Sequence, residues 1–229
     1  MITLIGLDLG QQNDYTAICV VEATPTIYEM AVPGRDPEFH LPISTVQSYE
    51  STPVSYAVRH LERMNLGASY PDVVRRIIAL LHAIDDAPLL VVDHTGCGRP
   101  VVDMIREQGL DPVAVTITGG DAVSHDGPDF RVPKRDLVGA LVVALQNNRL
   151  KIARSLPDAE TLTAELLNFK VKINVKTAHD SYEAWREGQH DDLVLSVGLA
   201  VWLGDYLYSH PPDQVVMYDE PEPYVISPV

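Results

Sequence analysis

Apolar residues in this chain fall into short unbroken runs that alternate with longer stretches of helical period. Ile2 to Leu9 is too short for a helix and reads as a buried strand. Gly10 to Asp14 forms a turn, and the β-formers of Tyr15 to Glu22 predict a returning hairpin strand. Pro25, Pro33, Pro37, Pro42 and Pro53 break the next region into short pieces, with a third strand expected around Ile43 to Tyr49. Tyr70-Pro71-Asp72 opens a helix whose apolar positions are Val73, Val74, Ile77, Ile78, Leu80 and Leu81, and Asp85 to Pro88 ends it. Pro88 to Asp93 and Pro112 to Thr118 are continuous apolar runs, as expected of strands covered on both faces. A helix over Val101 to Gln108 joins them. A polar loop follows from Gly119 to Asp129, then helices over Leu137 to Asn147 and Pro157 to Phe169. Phe169 to Thr177 (FKVKINVKT) alternates apolar residues with lysine and predicts a strand with one wet, positive face. Tyr182 to Arg186 is expected to return antiparallel to it. From His190 to Tyr208 the chain is hydrophobic nearly all round, the mark of a buried helix.

These signals predict an α/β protein with a mixed sheet. The expected division is one domain over residues 1–209 and a tail over 210–229, extended or loosely packed, with five prolines and four acids. A length of 229 residues suffices for one sizeable core. Two cysteines, Cys19 and Cys97, make neither a disulfide framework nor a zinc site. No apolar run reaches transmembrane length and no basic leader precedes the first strand, so an intracellular protein is expected.

The net charge of −15 argues against a nucleic-acid partner, which wants a basic face. The charge is uneven, however. Arg131 to Lys176 holds nine of the 17 basic residues and four acids, giving that segment about +5. Such a local face can dock phosphates, weakly and with strong salt dependence. Lys134 and Arg135, in the first turn of a helix where cations run against the dipole, and Lys170 and Lys172 on the lysine-bearing strand are the candidate DNA contacts.

Carboxylates mark the candidate chemistry. Asp8 lies among Ile5, Leu7 and Leu9, where burial is costly unless it is paired or holds a metal. Asp93 ends the second strongly apolar strand and is followed by the glycine-containing turn His94 to Pro100, a position where functional groups gather in open α/β sheets. Asp191 and Asp192 open the final helix; alone they read as caps suited to its dipole. Carboxylates from three separate elements meet the needs of Mg²⁺ or Mn²⁺, hard cations that take oxygen ligands. A pair of such ions roughly 3.5–4 Å apart serves phosphodiester hydrolysis.

The ordered set GLDLGQQNDYTAICVVE, VVDHTGCGRPVVDMI, PKRDLVGAL and HDDLVLSVGLA resembles the nuclease domain of tailed-phage terminase large subunits. The resemblance implies a ribonuclease H-like fold, a mixed central sheet flanked by helices, and a metal-dependent endonuclease acting in phage DNA packaging. It implies Asp8, Asp93 and Asp191 as catalytic metal ligands. Asp191 is preferred because the fold places its last acid in an Asp-x-Leu arrangement, here Asp191-Asp192-Leu193, while Asp192 assists or caps. Asp14 and His190 are expected as supporting neighbours of the ligands, and His94 as a hydrogen-bonding neighbour. Two ions, Mg²⁺ or Mn²⁺, double-stranded DNA, portal and small terminase subunits, and the cytoplasm of a bacterial host follow as cofactors, partners and location for a phage or prophage protein. These 229 residues contain no G-x-x-x-x-G-K-[ST], the mark of the ATPase motor that such subunits carry, which leaves three alternatives open: a free-standing nuclease unit with a separate ATPase motor as partner, one half of a split gene, or an excised domain.

Two other readings stand beside this one. Gly6-Leu7-Asp8-Leu9-Gly10 also fits the first strand of actin-like and sugar-kinase nucleotide-binding proteins, although no second glycine-rich phosphate loop follows. A non-catalytic assembly subunit of the same fold is the third.

Overall fold

A computed structural model describes residues 1–10, 14–35, 42–85, 87–173 and 191–209. Its first strand, β1 (Ile2–Asp8), alternates Leu4 into one apolar cluster with Ile5 and Leu7 into another, so both faces of the sheet are covered. β2 (Ala17–Arg35) returns antiparallel with Asp8 opposite Ala17, and β3 (Pro42–Arg63) continues the meander with Arg63 opposite Ala17. α1 (Tyr70–Ala83), capped by the Ser69 hydroxyl and opened by Pro71, crosses one face and leads to β4 (Leu89–Asp93). β4 lies parallel to β1 with Leu7 opposite Val92. α2 (Gly98–Glu107) then leads to β5 (Val113–Thr118), parallel to β4 with Val115 opposite Asp93.

The sheet continues through a short strand pair, β6 (Ser124–Asp126) and β7 (Asp129–Pro133), in which β7 runs parallel to β5. α3 (Lys134–Gln146), β8 (Leu150–Ile152), α4 (Ala159–Ile173) and α5 (Asp192–Ser209) complete the described chain. The eight strands lie in the order β6-β7-β5-β4-β1-β2-β3-β8. α1 and α2 pack against one face, and α3, α4 and α5 against the other. Three antiparallel strands followed by two parallel ones, β1 central, form the expected mixed sheet. With helices on both faces, this is an α/β fold.

Three expectations change. The proline-interrupted region is not a set of short pieces: β2 and β3 pair continuously out to Arg35 and Pro42, with register shifts at Val20/Val21 and Thr24/Thr26. Where only two strands pair, each has an unpaired side on which a proline lacking its N–H costs no ladder bond. The polar loop from Gly119 contains β6, with β7 at its end. Phe169 to Ile173 is helical, the end of α4, so Lys170 and Lys172 fall on a helix and not on a basic strand. Once a helix is nucleated each added residue costs little and gains a backbone bond, and lysine is a good helix former, so alternation over five residues does not win. The rest of that expected strand, its partner at Tyr182 to Arg186, His190 and the tail 210–229 lie outside the described residues.

Candidate active site

The register of the sheet places the first two acids side by side. Leu7 pairs with Val92, so Asp8 and Asp93 stand one residue further on at adjacent strand ends, where neighbouring backbones run about 4.8 Å apart. Both project from the face that carries Leu4 and Val91, which is the face α5 covers. Both are buried, at 6% and 4% exposure. The Asp93 carboxylate accepts the Thr95 N–H at 2.7 Å, and the turn beyond it is tight. A Cβ on Gly98 would stand 2.0 Å from the Asp93 carbonyl oxygen, which accounts for glycine there.

α5 brings the third acid pair. Its backbone touches β1 directly: a Cβ on Gly6 would lie 2.0 Å from the Ser196 carbonyl oxygen and 2.9 Å from Cys19 Sγ. Burial in that contact pushes the Cys19 thiol up to about 12, so it acts as a packed apolar group. Further along, Tyr56 Oη donates to Asp205 Oδ1 at 2.7 Å and lies 3.0 Å from the Val201 carbonyl. Tyr56 stands in the row of Ala23 and Ile2, whereas Arg63 stands in the row of Ala17 and Asp8. Arg63 reaches Asp192 at 3.4 Å. α5 therefore runs antiparallel to β1, and its N-terminus arrives where β1 and β4 end. Asp8, Asp93 and the Asp191-Asp192 pair are gathered at one end and on one face of the sheet.

Within the acid pair the two residues differ. Asp191 is half-buried and its carbonyl accepts the Leu195 N–H at 3.0 Å, so it is the residue from which the helix starts. Asp192 is buried and ion-paired to Arg63.

Sequence reasoning missed Glu165 and Arg63. Glu165 on α4 is only 7% exposed. One of its oxygens pairs with Arg63, and the other accepts the Val194 N–H at 3.1 Å, in the first turn of α5. Burial pushes its carboxyl up to about 7 against the pull of Arg63 and the Val194 N–H, with Asp192 and then Asp191 adding to the rise. Arg63 also stacks over the Tyr15 ring, 4.6 Å from its centroid. The only signal in the sequence was one acid among the apolar positions of a predicted helix.

The other predicted residues are placed as follows. Lys134 starts α3 directly after β7, at the same end of the sheet as the acids and on the same face as α5. Arg135 is exposed and committed to Asp121, whose carboxylate and carbonyl it meets at 2.8 and 2.6 Å. Asp14 is exposed and lines a cavity of about 260 Å³ with Gly10, Thr16, Asn65, Ser69 and Tyr70. His94 Nδ1 lies 3.2 Å from Thr116 Oγ1.

The donor chemistry fits a hard divalent cation, since every acid at this end offers carboxylate oxygen. Among the described residues no three His, Cys, Asp or Glu side chains form a ready-made metal-binding group, so the fit is one of donor type, shared face and shared end of the sheet. No described helix is long and apolar enough to cross a membrane.

No protein-family model and no curated protein matches the sequence. The solved structures similar to this chain include terminase nuclease domains. The large terminase nuclease from thermophilic phage G20c has 21% identity over 87% of this chain and 80% of that chain, with a TM-score of 0.49. The human cytomegalovirus terminase nuclease domain has 12% identity over 91% and 85%, with a TM-score of 0.47. The same domain, Mn-soaked and inhibitor-bound, has 14% identity over 90% and 85%, with a TM-score of 0.45.

Proposed function

We infer that this protein is a divalent-metal-dependent endonuclease that hydrolyses DNA phosphodiester bonds, in the manner of a phage packaging nuclease. The observation that carries the reading is the convergence of Asp8, Asp93 and the N-terminus of α5 at one end of one sheet face. A kinase-like protein would need a phosphate cradle there, whereas the described groups are acids.

Asp8, Asp93 and Asp191 would hold Mg²⁺ or Mn²⁺, two ions by preference. Such ions supply the charge that activates a water nucleophile and stabilises the leaving oxygen. The chain's own residues do the rest. The register of β1 against β4 would set the separation of Asp8 and Asp93, and the Gly6–Ser196 contact would set the height of the α5 N-terminus above them. Lys134 would meet a backbone phosphate from the α3 side, as a point charge and not a base reader. The overall acidity makes DNA affinity weak unless a partner adds basic surface, which suits a domain delivered to DNA by a packaging assembly.

The test is plasmid cleavage with Mg²⁺ or Mn²⁺ by wild type, Asp8→Asn, Asp93→Asn and Asp191→Asn. Each substitution is expected to abolish cleavage while leaving the far-ultraviolet circular dichroism spectrum unchanged. Cleavage persisting in all three sinks the reading, and nucleotide binding without metal-dependent cleavage moves the protein to the kinase-like class.

A further inference from the structure

A cavity of about 260 Å³ opens at the same end of the sheet as the acids, but on its other face. It lies between the turn after β1, the start of β2, the stretch after β3 and the first residue of α1. Asp8 pairs with Ala17, so Thr16, one residue earlier, belongs to the α1 side, where Ala68 and Tyr70 pack. The acids and the cavity therefore flank one row of strand ends, and Gly10 in the cavity wall is only two residues from Asp8.

The lining is polar and carries no cation. Thr16 is 5% exposed, and its hydroxyl accepts the Gly10 N–H at 3.2 Å. The hydroxyl's own hydrogen has no acceptor among the described residues, which leaves a donor for an occupant of the cavity. Asn65 adds an exposed amide, both donor and acceptor, and Asp14 an exposed carboxylate, acceptor only. Gly67, with φ of 73°, turns the chain between Asn65 and Tyr70. Tyr70 supplies an aromatic ring whose phenol meets the Cys97 thiol. That thiol lies 3.4 Å from the Leu9 carbonyl oxygen, so the ring is braced against the end of β1. Among the described residues no Lys, Arg or His lines the cavity, which argues against a phosphate as its occupant. Pockets for drug-sized ligands hold about 300–1,000 Å³, so this one has room for a single flat ring system.

We propose that the cavity is a base-binding subsite, which takes one unstacked nucleobase with an exocyclic amino group, adenine or cytosine, from a DNA strand lying across the acids. The inference rests on the nuclease reading for the source of the base, and adds the part of the substrate that the chain recognises. Tyr70 is the stacking surface, which recovers part of what unstacking the base costs. The Asn65 amide meets the base edge, and the Asp14 carboxylate accepts from the amino group. Thymine offers a carbonyl where these bases carry that amino group, so two acceptors would face each other at Asp14. A base held beside Gly10 would bring the neighbouring phosphodiester toward Asp8.

The experiment is an NMR titration of the full chain without metal, with deoxyadenosine, deoxycytidine, thymidine and inorganic phosphate as separate probes, followed by plasmid cleavage. Deoxyadenosine and deoxycytidine are expected to shift the Asn65 side-chain amide and the Gly67 N–H saturably. Thymidine should bind about tenfold more weakly, and phosphate should shift neither signal. Asn65→Ala and Tyr70→Leu should each weaken nucleoside binding by about tenfold, and Asp14→Asn should erase the preference over thymidine. In cleavage, Asn65→Ala should raise KM about tenfold with little change in kcat.

Absence of these shifts with every nucleoside overturns the proposal, as does wild-type nucleoside affinity in Asn65→Ala. Thymidine bound as tightly as deoxyadenosine, or phosphate bound in the cavity, overturns it too. Should Tyr70→Leu fail to fold, Asn65→Ala, at an exposed position, still decides. Nucleosides bound with this pattern by a protein that cuts no DNA remove the nuclease reading and leave the subsite standing. Metal-dependent cleavage without nucleoside binding does the reverse.

Discussion

Gly6→Ala probes the contact on which the candidate site depends. In wild type the Ser196 backbone sits against Gly6 so closely that an added Cβ would lie 2.0 Å from its carbonyl oxygen, with Cys19 Sγ at 2.9 Å. Real Cβ atoms come no closer than 3.0 Å to such neighbours, so α5 must retreat by about 1 Å. The atom struck is helix backbone, which cannot rotate aside as a side chain can. Overpacking of a tight core costs about 1–3 kcal/mol, and the upper end is expected here. For a chain of this size that corresponds to a fall of about 6–12 °C in the unfolding midpoint. The same retreat lifts Asp191 from Asp8 and Asp93, and misplacement of reacting groups by about 1 Å can cost on the order of 100-fold in rate. Gly204→Ala is the matched control. Its Cβ would meet the Tyr56 ring at 2.7 Å, but at the far end of α5. It should lower stability while sparing most Mn²⁺-dependent cleavage. Thermal unfolding and plasmid cleavage on both variants check the reasoning. An unchanged midpoint for Gly6→Ala refutes it, and so does a Gly204→Ala protein as cleavage-impaired as Gly6→Ala.

Tyr56→Phe removes the hydroxyl that ties β3 to the C-terminal half of α5 through Asp205, and should cost about 1–2 kcal/mol in urea unfolding. Asp205 keeps Arg149 at 3.2 Å, which limits the loss. Glu165, raised to about 7 from an ordinary 4.5, binds its proton more tightly folded than unfolded. Its contribution is therefore fully present below about pH 4.5 and is lost as pH rises through about 7. In chelator-treated buffer the unfolding midpoint should fall between about pH 5 and about pH 8, and Glu165→Gln should flatten that slope. An unchanged slope in the variant contradicts the raised value. Mn²⁺ at about 100 times its dissociation constant should stabilise wild type by about 2.7 kcal/mol, and Asp8→Asn by much less, as read from melting curves with and without the ion.

Much of the molecule was legible along the chain. Apolar runs marked β1, β4 and β5, helical spacing of apolar residues marked α1 and α3, and the all-round hydrophobicity of residues 193–204 marked a central helix. The acids Asp8 and Asp93 stood out because a charge inside or ending such a run is costly. Glu165 did not, because a single acid on an amphipathic helix looks like any solvated position until the helix is packed. Arg63 was hidden in the proline-rich stretch, where propensity reported breaks and the partner strand supplied a continuous ladder. FKVKI read as strand by alternation and folded as helix because the preceding turns of α4 had already been nucleated.

The sequence by itself determined periodicity, burial and where carboxylates interrupt apolar segments, since these depend on each residue and its near neighbours. Only the tertiary structure decided the pairing of Leu7 with Val92, the direction of α5 across β1 and the meeting of Arg63, Glu165 and Asp192. Those relations join segments far apart in the chain: 85 residues separate Leu7 from Val92, and 102 and 129 separate Arg63 from Glu165 and Asp192. They are set by which faces can pack without leaving a buried polar group unsatisfied, and no local window contains both partners.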